Sequence, residues 1–261
     1  MTLWRRRRAR ALPADAERIF ARHVDEWAYL DPAEREQLTA ATEELLATKK
    51  WEAASGFPLT DEMCAVIAAQ GALMSLGLGV EVFSGVGAIV VHPTTITSVA
   101  TRPGPVGGLL TDEPVYLHGE AHHFGPVLLA WDAVRRDTRR FGHGFNVVIH
   151  ELTHKLDMLD GLIDGTPPLP DDQRRRWVEV CSREYRALQD GADDPVLRDY
   201  AATDTGEFFA VAAEVFFGRP TALAAAKPQL YAVLRDYFKS DPAARRARMI
   251  WEDRPRAHPS P

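Results

Sequence analysis

The sequence predicts an α+β domain, mostly helical, with a small sheet placed ahead of one central helix. Three observations predict it. A chain of 261 residues, 46% hydrophobic and 26% charged, can bury a sizeable core without a disulfide or metal to hold it. Short β-type runs cluster between residues 80 and 131, bounded by Gly, Pro and Thr. From Phe145 onward apolar residues recur at helical spacing.

The elements follow in order. Trp4 is followed by Arg5, Arg6, Arg7, Arg8 and Arg10, as in the charged start of a secretion signal, but Pro13, Asp15, Glu17 and Arg18 stand where an apolar stretch would be needed. Residues 1–12 are expected to be a basic flexible tail, 13–250 a single domain with N-terminal helices, and 251–261 a disordered tail. The arginine run also suits anionic lipid or nucleic acid. Asp31-Pro32-Ala33-Glu34 is a capping box with Pro at the first helical position. Leu38, Ala41, Leu45 and Leu46 continue that helix as a stripe, and Lys49 and Lys50 suit the negative end of its dipole. Thr60 caps a second helix running to about Leu78. Val80 to Phe83 and Ala88 to Val91 are expected as strands, Thr94 to Gly108 as a loop. Val115 to Leu117 and Val127 to Trp131 are two more strands, joined by a turn through His-Gly-Glu-Ala-His-His. One of the pair is expected to align substrate by edge pairing.

A net charge of −6 argues against nucleic acid as the main partner. Cys64 and Cys181 are far apart and in no Cys-x-x-Cys spacing, which points to buried thiols in a reducing, cytoplasmic setting. Ala65 to Leu78 is too short to span a membrane, so no membrane association is expected.

His150-Glu151-Leu152-Thr153-His154 carries the chemistry. On a helix, positions i and i+4 share one face, so two imidazoles can reach one ion. Glu151 lies about 100° around the helix, aimed at a metal-activated water rather than at the ion. Phe145, Val148, Ile149, Leu152, Leu156 and Leu159 are expected to pack the opposite side into the core. A core helix with two hydrogen-bonded histidines is the plainer alternative. A catalytic zinc needs a third protein ligand. The long motif of metzincins would place Gly at 157 and His at 160; this chain has Asp157 and Asp160, of which Asp160 could still ligate. Glu207, on an apolar helix with Phe208, Phe209, Val211, Val215, Phe216 and Phe217, is the other candidate. It stands three residues after Asp204, so a capping box competes with ligation. Asp157 is placed to support an imidazole, or is a surface charge at a helix end. Glu214, seven residues past Glu207, is placed to support a ligand histidine or to make a rim salt bridge.

The run Gly144-Phe145-Asn146-Val147-Val148-Ile149-His150-Glu151-Leu152-Thr153-His154-Lys155-Leu156-Asp157 resembles the active-site helix of the Mlc titration factor A family. Tyr200-Ala201-Ala202-Thr203-Asp204 with Glu207, Phe209 and Ala210 is similar to its second motif, and Gly125-Pro126-Val127-Leu128-Leu129-Ala130-Trp131 to a strand of it. The resemblance covers about residues 20 to 250. It implies a zincin-like domain similar to the catalytic domain of anthrax lethal factor. It also implies one zinc per chain on His150, His154 and Glu207, Glu151 as general base, and Tyr200 as a transition-state donor. Peptide or protein would be the substrate, with aminopeptidase activity among the family's forms. Binding of the repressor Mlc, known for enterobacterial members, makes sequestration of a transcriptional repressor the alternative function. Some members carry a loop histidine that closes the open zinc position. Thr111 stands in that place here, and His118, His122 and His123 follow without a match.

Overall fold

The computed structural model describes residues 10–252 except 95, 99–101, 104–109, 112–114, 118 and 122–124, with side chains described outside 55, 95–124 and 250–252. Arg5 to Arg8 and Pro255 to Pro261 therefore lie outside the described residues. The chain enters through Arg10, whose guanidinium pairs with Asp61 and bonds the Leu59 carbonyl. Helix α1 (Ala16–His23) and a 3-10 turn (Asp25–Tyr29) lead to α2 (Pro32–Thr48). The capping box at Asp31 is complete: Asp31 Oδ1 accepts from the Glu34 N–H, and the Glu34 carboxylate accepts from the Asp31 N–H. Leu38, Leu45 and Leu46 are buried and Ala41 half-buried.

Past α2 the structure differs from expectation. Lys49 is the C-terminal cap and reaches the Phe83 carbonyl, while Lys50 opens strand β1 (Lys50–Ala53). Thr60 caps α3 (Asp61–Ser75), accepting from the Met63 N–H, and the helix ends three residues before Leu78. Val80–Phe83 is a 3-10 turn rather than a strand. Gly79, at φ 86°, turns the chain out of α3, and the run closes short bonds such as Ser84 N–H to the Glu81 carbonyl. Four apolar residues alone do not separate a turn from a strand.

Strand β2 (Ala88–His92) runs parallel to β1. The stretch expected as a loop contains β3 (Ile96–Ser98) and β4 (Arg102–Pro103), paired with β6 (Val115–Leu117) and β5 (Leu110–Thr111) respectively. The expected turn contains a strand, β7 (Gly119–Ala121), antiparallel to β8 (Val127–Ala130). The main sheet has the order β1-β2-β8-β7. Since β8 is bonded on both sides, the edge open to a further strand on that side is β7, not β8, and β6 belongs to a separate ribbon. Trp131 starts α4 (Trp131–Asp137) instead of ending the strand.

The helical half comprises α5 (Val147–Asp157), α6 (Asp171–Gln189), α7 (Thr205–Gly218), α8 (Pro220–Ala226), α9 (Pro228–Phe238) and α10 (Pro242–Glu252). Helix α7 lies along α5 and is buried on nearly every side. Its Phe209, Phe216 and Phe217 interlock with Trp177, Tyr237 and Phe238. Each such side chain, fully buried, contributes about 1.5–3 kcal/mol. Helix α10 returns to the N-terminal segment, where Arg246 meets Glu26 and Asp25 and Arg245 meets Glu34. Glu26 is fully buried, and burial pushes its carboxyl up to about 7 against the pull of Arg246. No single helix among the described residues is long and apolar enough to cross a membrane; α7 and α8 reach that length only together, across a 116° bend.

Candidate metal centre

Two helices from distant parts of the chain build the site. Helix α5 starts at Asn146, whose side chain accepts from the Val148 and Ile149 N–H groups. The Asn146 amide also donates to Gln70, the polar interruption in the apolar α3, and Gln70 donates to the His23 carbonyl. Lys155 anchors the same helix to the Gly125 carbonyl just ahead of β8. Val148, Ile149, Leu152 and Leu156 are buried as the spacing predicts. Phe145 and Leu159 are not: they are 51% and 46% exposed. Phe145 precedes the first helical turn, and Leu159 follows the last in a 3-10 turn, so neither keeps the helical phase.

Helix α7 starts at Asp204, which accepts from the Glu207 N–H at 2.8 Å. Only that half of the capping box forms, because the Glu207 carboxylate turns to α5. Its Oε2 lies 3.0 Å from His150 Nε2 and 3.7 Å from His154 Nε2, and those two nitrogens are 3.2 Å apart. The three residues are the group of His, Cys, Asp and Glu among the described residues that could hold a metal ion, with ligand atoms all within 4.8 Å. Glu207 Oε2 is buried without hydrogen-bonding geometry to any partner. Four donors about 2.0–2.1 Å from a central ion would be separated by roughly 3.3 Å, so these spacings fit a small divalent cation. Three donor atoms this close together, with Glu207 Oε2 unbonded, would be satisfied by one cation between them. The donor set thus fits a metal.

The surroundings are strongly charged. Burial disfavours a charged His150, yet the Glu207 and Glu214 carboxylates beside it prevail and raise its imidazole to about 10. Burial would raise Glu207, but His150 and His154 hold it well below the usual carboxylate range. Glu151 is 4% exposed, its Oε2 has no hydrogen-bond partner, and burial pushes it up to about 7. The Tyr200 hydroxyl donates to Glu207 Oε1 at 3.1 Å, and burial followed by the charge of Glu207 raises its pKa.

The remaining candidates are placed as follows. Glu214 Oε1 lies 2.8 Å from His150 Nδ1 and 2.6 Å from Arg198 Nη2, and its Oε2 accepts from the Asn146 N–H at 2.7 Å. Glu214 is buried, not on a rim. Asp157 is also fully buried; its Oδ2 accepts from the Gly165 N–H, its Oδ1 has no partner, and burial pushes it up to about 6. Asp160 stands apart from the three ligand candidates, accepting from the Leu162 N–H and pairing with Arg174. His118, His122 and His123 lie outside the described residues. Thr111 is described by its backbone in β5. Sequence reasoning missed Arg198 and the capping role of Asn146. The second had a signal, an Asn just ahead of an apolar helical run.

An HExxH helix met by a glutamate from a second helix, beneath a small sheet with an antiparallel edge, defines a metallopeptidase core of the zincin type. The chain belongs to the glucose-regulated metallo-peptidase M90 family, whose model matches residues 1–239. It is 35% identical to Mlc titration factor A of Serratia proteamaculans over 230 residues, covering 86% of this chain and 87% of that protein. It is 31% identical to Mlc titration factor A of Klebsiella pneumoniae, over 84% of each chain. An uncharacterized protein of Synechocystis sp. is 33% identical over 92% of this chain and 89% of its own length.

Proposed function

We propose that the protein is a cytoplasmic zinc-dependent peptidase, with residues 13–250 as its catalytic domain. The observation that carries this reading is the convergence of His150, His154 and Glu207 beside a buried, unpartnered Glu151. Zinc held by those three residues, one ion per chain, would supply Lewis acidity toward a water and toward the scissile carbonyl. Glu151 takes the proton of the attacking water and passes it to the leaving amine. Its single angular offset from the histidines leaves it out of the ligand set. The Tyr200 hydroxyl, half-exposed at the cleft, donates to the oxygen that gains charge in the transition state. Glu214 and, one turn beyond His154, Asp157 hold the ligand side of α5 in place. Peptides are the substrate class, with aminopeptidase cleavage as one form. The free, buried Cys64 and Cys181 support a reducing compartment.

The names of the relatives favour a second activity, binding of a transcriptional repressor resembling Mlc. Sequestration alone needs no general base, so one variant separates the two. Glu151→Gln is nearly isosteric but takes up no proton at neutral pH. It is expected to keep zinc and melting temperature while losing cleavage across a peptide library. Cleavage equal to wild type would remove Glu151 from the mechanism. If wild type with zinc bound cleaves no peptide of a broad library, repressor binding becomes the leading function.

A further inference from the structure

Beside the metal centre, Arg198 lines an open pocket of about 210 Å³ together with His143, Phe145, Asp194, Val215 and Arg219. That is room for about seven waters at ~30 Å³ each, enough for one charged group and its shell. Two arginines line it: Arg198, which is paired with Glu214, and Arg219, which is paired with no carboxylate among the described residues. Arg219 is half-buried, and its guanidinium has no hydrogen bond or ion pair among the described residues. Its stem passes close over Gly144: a Cβ there, at φ 71°, would lie 3.1 Å from Arg219 Cδ and 3.3 Å from Val215 Cγ2. Arg198 spends one nitrogen on Glu214 Oε1 and stacks at 4.7 Å over the exposed Phe145 ring, which leaves other N–H groups of its planar fork unused. The acid among the lining residues, Asp194, is already satisfied. Lys227 pairs with it at 2.6 Å and the Val196 and Leu197 N–H groups bond it.

An unpaired guanidinium lining the same pocket as a second fork with spare donors suits bidentate recognition of planar or tetrahedral oxyanions. The chain as a whole carries −6, so the unpaired positive charge of Arg219 is a local exception. We propose that the pocket binds an anionic group, a carboxylate or a phosphate, between Arg198 and Arg219 against the Phe145 ring. Since Arg198 also holds Glu214, and Glu214 holds His150, the occupant stands two side chains from the metal ligand. The carboxylate can come from an acidic side chain of a bound peptide, and the same chemistry serves a free small anion.

Calorimetric titration of the full-length protein with inorganic phosphate tests this. Wild type is expected to bind, and Arg219→Gln to bind about 10- to 100-fold more weakly, the loss of a charge-assisted bond. Arg219→Lys, which keeps stem and charge but not the fork, is expected in between and serves if the glutamine variant does not fold. Arg140→Gln, exposed outside the lining, is expected to bind as wild type does. The titration is repeated on chelator-treated protein: binding that persists belongs to the pocket, and binding that vanishes with the metal overturns the proposal. Absence of binding at millimolar phosphate, or equal binding by Arg219→Gln, overturns it as well. None of these readouts depends on peptidase activity. Two blocked peptides that differ in one Glu or Gln then compete with phosphate. Displacement by the Glu peptide alone assigns the site to peptide carboxylates, and displacement by neither assigns it to free anions. Equal displacement by both overturns an anion site.

Discussion

Glu214 Oε1 sits 2.8 Å from His150 Nδ1, so the imidazole presents Nε2, and not Nδ1, to the space shared with His154 and Glu207. The carboxylate is itself fixed from two other directions, by Arg198 and by the Asn146 N–H. A carboxylate behind a ligand histidine fixes its tautomer and raises its basicity.

Glu214→Gln is therefore expected to weaken metal binding about 10- to 100-fold. The amide has one acceptor end and must face the His150–Arg198 side and the Asn146 N–H at once, so its NH₂ group opposes a donor whichever way it turns. Competition against a chelator of known affinity measures the change. An unaltered affinity would show that the buried contact does not act on the ligand.

Glu207→Ala is expected to lose the metal, whereas Asp160→Ala retains it. Glu207 brings an oxygen within 3.0 and 3.7 Å of the two histidine nitrogens, while Asp160 is occupied with Leu162 and Arg174. Elemental analysis after dialysis distinguishes them, and the reverse order would reassign the third ligand.

Tyr200→Phe is expected to keep metal and fold but to lower kcat by about 10²–10³-fold with little change in KM, the pattern of a donor that acts in the transition state. A rise in KM at constant kcat would make Tyr200 a binding residue instead.

The legible part of this molecule is the part written in local geometry. Asp31, Thr60 and Asp204 announce helix starts because a short oxygen-bearing side chain can close the first turn only from that position. His150 and His154 announce a shared face by their spacing alone. Glu207 stays ambiguous at that level, since its cap donor and its carboxylate serve different partners, and only the packing of α7 on α5 shows which way the carboxylate turns. Strand β7 is hidden because Gly119, Glu120 and Ala121 carry no β-type residue and pair through the backbone. Arg198 is hidden for another reason: its role rests on Glu214, 16 residues away and on a different element.

Glu26 provides a test away from the metal. Its folded pKa, raised by burial to about 7, lies above the usual value near 4.5. The folded state then holds a proton that the unfolded chain has released, so stability falls as pH rises between those values. Wild type minus Glu26→Gln in unfolding free energy is expected to be highest below pH 4.5 and flat above about 7. Between these it should decline at up to roughly 1.4 kcal/mol per pH unit. Denaturant melts at four or five pH values measure it. A difference that rises with pH would mean that Arg246 dominates and keeps Glu26 ionised.

Helix α7 also acts as a ruler laid across one imidazole. Glu207 approaches His150 at Nε2 and Glu214 at Nδ1, and the seven-residue step from one to the other makes two turns to within about 20°, or some 10.5 Å. One residue inserted or deleted there rotates one carboxylate by about 100° and strips the histidine of either its neighbour at the ion or its brace. The same holds for the four-residue step from His150 to His154. Between these two rigid intervals, Gly165 and Arg198 are tied to Asp157 and Glu214, but the exposed stretch from residue 190 to residue 193 is measured by nothing in the centre. Length variation within the family should collect in that stretch, and it is the place to splice a tag or a foreign loop without changing the spacing of the ligands.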